Sequence, residues 1–112
     1  MMKITDLDHV CSLQERVEAD DGYGNKRGDF QEVFRDWGGF RFLRGGEGVI
    51  ESRLASKQPA ILTLRSTAQA KTIAPHWRVV AGGRAYEVKE QPRPTDDRMF
   101  LEILVEAVPI GG

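Results

Sequence analysis

The side chains that could do acid–base, nucleophilic or metal chemistry are few in this sequence, and they are scattered. His9 and His76 lie far apart, and neither has a second ligand at metal spacing, so no zinc site is expected and each reads as a surface or strand-end residue. Cys11 is the one cysteine. It alternates with Leu13 in an extended pattern and reads as a small core residue, with no local partner that would make it a nucleophile. The stretch Asp20-Asp21-Gly22-Tyr23-Gly24-Asn25 is acidic and bears glycines. It lacks the alternate-ligand spacing of a calcium loop and reads as a plain turn. Gly45-Gly46-Glu47-Gly48 has neither the lysine–hydroxyl pair of a phosphate loop nor a dinucleotide fingerprint, and its glycines read as sources of mobility.

One binding chemistry remains. Lys26-Arg27, and Arg41 with Arg44, stand near aromatics, the combination by which an oligonucleotide-binding barrel holds single strands. Acidic residues close by leave no net basic stripe, so the charges read as a solvated surface. Trp37, Trp77 and the phenylalanines read as core. No enzyme, cofactor or metal is expected; the oligonucleotide-binding module stands as the alternative reading.

The composition is ordinary for a globular protein. The chain has 112 residues, 40% hydrophobic and 29% charged, with a formal net charge of −1. That length fits one domain over residues 1–112, and so small a net charge does not steer the chain to nucleic acid or an acidic membrane. A single cysteine allows no internal disulfide, as in proteins made in the cytoplasm. Met1-Met2-Lys3-Ile4-Thr5-Asp6 has no apolar run after its lysine, so no signal peptide is expected. No stretch of eighteen apolar residues occurs, and no membrane partner is expected.

Periodicity organises the rest into strands. From Val10 to Glu18, Cys11, Leu13 and Val17 alternate with Ser12, Gln14, Arg16 and Glu18, which predicts a half-buried strand. A loop through Asp29 leads to an aromatic-rich extended stretch from Phe30 to Leu43, interrupted by Gly38-Gly39. Such a pair marks a bulge or bend, giving one long bent strand or two short ones. Ile50 and Leu54 lie four apart, with Glu47 and Glu51 ahead of Arg53 and Lys57 and a stop at Pro59. That order predicts one short helix over Glu47–Ser56. Ala60–Arg65 reads as a strand, and Ser66–Pro75 as a loop or poorly ordered excursion.

The strongest local signal is Gly82-Gly83 between Trp77–Ala81 and Arg84–Lys89, a two-residue hairpin of type I′. The register pairs Ala81 with Arg84, Val80 with Ala85, Val79 with Tyr86, Arg78 with Glu87 and Trp77 with Val88. One face then carries Trp77, Val79, Tyr86 and Val88; the other sets Arg78 against Glu87 as an ion pair. Pro92 and Pro94 close the strand, Thr95–Arg98 turns the chain, and Met99–Val108 is a last strand with Leu101, Ile103 and Val105 on one face. About six strands and one short helix, between strands two and three, predict a mainly β fold: a small antiparallel barrel.

The ordered set of features resembles the phage head-tail joining family, also called head closure or head completion proteins. Leu7–Glu18 is similar to its opening strand, and Asp21-Gly22-Tyr23-Gly24-Asn25 to its following loop. Trp77-Arg78-Val79-Val80-Ala81-Gly82-Gly83-Arg84-Ala85-Tyr86-Glu87-Val88 is similar to its glycine-turned hairpin, and Met99–Glu106 to its final strand. Ser66–Pro75 is longer and richer in alanine than the family pattern. The resemblance implies a β-barrel subunit of a homo-oligomeric ring, six-fold or twelve-fold, in the neck of a phage or gene transfer agent. It implies a portal or adaptor protein on the head side, a tail terminator or tail tube protein on the other, and double-stranded DNA passing through without sequence-specific binding. Its internal gate loop corresponds by position to Gly45–Gln58, with Gly45, Gly46, Glu47, Gly48, Arg53 and Lys57 as candidate channel-facing residues.

Overall fold

A computed structural model of the chain describes residues 7–17, 29–43 and 58–108. Seven strands occur among them, in chain order β1 (His9–Arg16), β2 (Phe30–Phe42), β3 (Gln58–Arg65), β4 (Arg78–Ala81), β5 (Arg84–Val88), β6 (Arg93–Pro94) and β7 (Phe100–Val108). They pair antiparallel in the order β3-β2-β1-β4-β5-β7, and β3 also pairs with β7. The sheet therefore closes on itself as a six-stranded barrel. β6 sits on β7 at Leu101 and Glu102, beyond the positions from Val105 to Val108 that β5 occupies.

Alternation decides what fills the barrel. Cys11 and Leu13 of β1, Leu62 and Leu64 of β3, Val79 of β4 and Ile103 and Val105 of β7 are completely buried. Burying a side chain of this size contributes roughly 1.5–3 kcal/mol. Gly82 and Gly83 adopt φ of +58° and +78°, the left-handed pair that a type I′ turn requires. The β4–β5 register is the one the alternation predicts, Val79 facing Tyr86 and Arg78 facing Glu87.

The glycine pair in β2 lies inside one continuous strand of 13 residues. Residues 30–38 pair with β1, and residues 38–42 pair with β3, so Gly38 is where the strand exchanges one neighbour for the next. It points inward. A Cβ there would stand 2.8 Å from Leu62 Cδ1 and Leu64 Cδ2 and 3.0 Å from Cys11 Sγ. A bulge lies further back in β2: Leu13 faces Phe34 and Gln14 faces Glu32, which leaves Val33 without a partner in β1.

Several expectations are corrected. Ser66–Pro75 is a loop, the first of its two readings, and not an excursion from the fold: it contains a 3-10 turn at Ala70–Thr72, and Ala70 and Ile73 are 0% and 1% exposed. β3 and β4 lie on opposite sides of the ring, so their connection must cross one end of the barrel. It does so with these two side chains in the core, as a plug. Val17 lies past the end of β1 and is exposed, and so is Trp37 at 53%, whereas Trp77 is buried. Pro94, read as part of a stop, pairs in β6 with Leu101; a short edge strand tolerates the missing N–H. The helix predicted over Glu47–Ser56 lies outside the described residues.

Gly38 yields a quantitative expectation. Gly38→Ala forces a methyl group among three buried side chains and should lower stability in urea unfolding by about 1–3 kcal/mol. Unchanged stability would contradict the packing described.

Candidate assembly surfaces

In a closed antiparallel barrel, successive connections leave from opposite ends. The β2–β3 connection, the Gly82-Gly83 hairpin and the start of β1 share one end. The β1–β2 connection, the Ser66–Pro75 plug and the chain between β5 and β7 share the other. Gly45, Gly46, Glu47, Gly48, Arg53 and Lys57 lie outside the described residues, but their stems are placed. Leu43 donates its N–H to Pro59 O at 3.1 Å, and Phe42 pairs with Ala60. The segment thus springs from the hairpin end.

Aromatics collect beside those stems. Phe40 stacks on Tyr86 at 4.6 Å and lies 6.2 Å from Phe42, while His9 meets Phe40 edge-on at 5.5 Å. The Arg84 guanidinium stands 5.8 Å from the Tyr86 ring centroid. Burial raises the Tyr86 hydroxyl above its ordinary pKa, against the opposing effect of Arg84. Each ring pair contributes about 0.5–1.5 kcal/mol beyond its buried area, so this end is a stiff collar.

The outer wall of β2, β1 and β4 carries a continuous polar chain. Ser12 Oγ donates to Glu32 Oε1 at 2.6 Å, Gln14 Nε2 donates to Ser12 Oγ at 2.9 Å, and Arg35 also donates to Glu32. These donors, the Ser12 hydroxyl first, hold the Glu32 carboxyl below the usual range. Arg78 donates through Nε and Nη2 to Gln14 Oε1 at 2.9 and 2.6 Å. The ion pair expected between Arg78 and Glu87 is therefore replaced: Arg78 turns to β1, and Glu87 lies near Lys89 at 3.5 Å and His76 at 3.9 Å. Beyond this chain, Val10 and Trp37 face each other across β1 and β2, both exposed.

Of the four basic residues singled out for nucleic-acid binding, Arg41 alone is among the described residues. Arg41 is on the outer wall, while its neighbours Phe40 and Phe42 turn to the collar, as strand alternation requires. Phe30 is covered by the chain's own cations, Arg78 at 4.2 Å and Arg16 at 4.5 Å from its ring. Arg44, Lys26 and Arg27 lie outside the described residues.

Among the described residues, no three His, Cys, Asp or Glu side chains are grouped to hold a metal ion, and no helix is long and apolar enough to cross a membrane. His9 and His76 are exposed at strand ends. Cys11 is buried, its Sγ 3.5 Å from His9 O. Burial, with the Asp36 charge adding to it, pushes the thiol up to about 12. The described residues thus present a collar, a plug and a wall.

Residues 2–108 match the family of phage head completion proteins, and the chain belongs to that family. A chain from the virion of a native gene transfer agent particle has the same fold, with a TM-score of 0.62 at 21% identity over 88% of this chain and 93% of that one. A protein of Shigella flexneri 2a, known from a solution structure, gives a TM-score of 0.70 at 18% identity over 97% of this chain and 99% of that one. A comparison with curated proteins gave no match.

The buried thiol provides a check on the barrel interior. A shift from 9.0 to about 12 leaves about a thousandfold less thiolate at pH 8. Ellman's reagent should label native Cys11 at least about 100-fold more slowly than the same chain in urea, and comparable rates would show the interior open.

Proposed function

We propose that this chain is a non-enzymatic, one-domain connector of the neck, a subunit of a six-fold or twelve-fold ring in a tailed phage or gene transfer agent particle assembled in the bacterial cytoplasm. The ring lies between the portal or its adaptor and the tail terminator or tail tube. It closes the filled head and retains double-stranded DNA until the tail attaches. Membership of the head completion family over residues 2–108 carries this reading. The closed barrel supports it too, since the features on its surface suit contact with neighbours.

The two ends then have different tasks. Gly45–Gln58, rooted in the aromatic collar, is the channel gate, and its glycines are its hinges. The exposed Val10–Trp37 pair on the outer wall is a contact between ring subunits. An apolar pair beside hydrogen-bonded polar groups is the usual make-up of a protein interface, an apolar centre with a polar rim.

Electron microscopy of particles made after deletion of the gene tests the role. Filled or leaking heads without tails, restored by supplying the chain, are expected; normal tailed particles would remove it from the neck. Shortening Gly45–Gln58, with Gln58 kept on its β7 partner, should leave the subunit folded while filled heads lose DNA. Heads that keep their DNA would refute the gate. Trp37→Ser should leave thermal unfolding nearly unchanged and yet prevent incorporation into particles, and normal incorporation would move the subunit contact elsewhere.

A further inference from the structure

At the plug end, opposite the gate, Arg65 at the close of β3 and Arg98 in the turn before β7 border one recess of about 290 Å3. Asp36, Ser66 and Thr67 form its wall, and Met99 stands at its lip with 60% of its surface exposed. Ion pairs elsewhere engage Arg35, Lys89 and Arg93. Neither Arg65 nor Arg98 takes part in an ion pair among the described residues. A guanidinium keeps its charge at all physiological pH and has a fork geometry matched to carboxylates. Two of them border this recess, with the single Asp36 carboxylate in its wall.

The turn that presents Arg98 is firmly built. Arg98 has φ of +60°, a backbone state that non-glycine residues seldom adopt and that persists where the surroundings impose it. Its N–H donates to Thr95 O at 2.9 Å. The Asp97 carboxylate accepts the Thr95 hydroxyl at 2.7 Å and the Met99 N–H at 2.9 Å, and these donors keep it below its ordinary pKa. Ser66 N–H donates to Met99 O at 3.0 Å, tying the end of β3 to the turn. The two cations therefore hang from one rigid frame.

We propose that this recess seats an acidic segment of a partner protein, an aspartate or glutamate carboxylate next to an apolar residue. Arg65 and Arg98 take the carboxylate, the Ser66 and Thr67 hydroxyls flank it, and Met99 covers the apolar neighbour. The charge count favours a single carboxylate over a phosphate chain. Two guanidiniums against the one Asp36 carboxylate leave one net positive charge, and Asp36 repels a polyanion. An exposed methionine offers nothing to a phosphate. The site goes beyond the gate and ring reading and stands whether or not that reading holds.

The test is a titration of the nitrogen-15-labelled full chain, followed by amide shifts at Ser66, Thr67, Arg98 and Met99. The probes are N-acetyl-leucyl-aspartate amide, its asparagine counterpart and inorganic phosphate. Saturable shifts at these amides are expected with the aspartate probe only, with a Kd on the order of 1 mM, fitting one charge-assisted contact. Arg65→Gln should weaken binding about tenfold, the loss of one charge-assisted hydrogen-bond pair. Arg98→Gly should weaken it similarly while keeping or raising the unfolding temperature, because glycine accepts the positive φ. Retained affinity in either variant overturns the assignment, as does the absence of localised shifts. Equal shifts with phosphate at equal concentration would make this a general anion site and overturn the protein-segment reading.

Discussion

The ladder between β3 and β7 is the interaction on which the rest of this structure depends. Eight consecutive positions, from Gln58 opposite Ala107 to Arg65 opposite Phe100, join the first and last members of the sheet. Without that pairing, two long edges would expose unpaired N–H and C=O groups and invite association with other chains. With it, every barrel strand gains an inside and an outside, and Leu62, Leu64, Ile103 and Val105 can fill one interior together. Closure also imposes geometry. β2 must leave β1 and take up β3 within its own length, and it does so at Gly38, where a side chain would strike three core neighbours.

Among the described residues, side chains fill the interior of the barrel, so its ends and its wall are the surfaces it presents. The ends differ because the chain treats them differently. Three connections converge at one end, and the longest described of them lays Ala70 and Ile73 across the mouth. The other end is bounded by stacked aromatics from which the Gly45–Gln58 segment departs. The two ends are therefore unlike, and the wall between them carries both the polar chain and the exposed Val10–Trp37 pair. These are the surfaces that a member of the phage head completion family offers to other components.

Much of the barrel was legible in the sequence, and the reasons can be traced to particular residues. The hairpin at Gly82-Gly83 could be read to the residue because a two-residue turn sets the register and a slip would exchange Val79 for Arg78 in the core. The final strand showed itself through Leu101, Ile103 and Val105. Ser66–Pro75 read as a loop, but its burial was not legible because its small and polar residues have no period; only the position of the barrel mouth makes Ala70 and Ile73 core residues. Trp37 was taken for core because aromatics usually are, yet strand parity at Gly38 places it outside. The recess at Arg65 and Arg98 has no local signal at all, since 32 positions of chain separate its cations.

By itself the sequence determined the fold class, the six barrel strands and the hairpin register, because alternation and turn chemistry act over a few residues and each strand carries its own inside and outside. It also carried the family resemblance, since the order of those local features is preserved along the chain. Only the tertiary structure decided which strand closes on which, which end of the barrel is plugged, that Arg78 binds Gln14 in place of Glu87, and that Arg65 and Arg98 share one recess. Those outcomes rest on contacts between residues distant in sequence. Their geometry exists only once the ring of strands has closed, when each side chain meets neighbours that no local pattern can name.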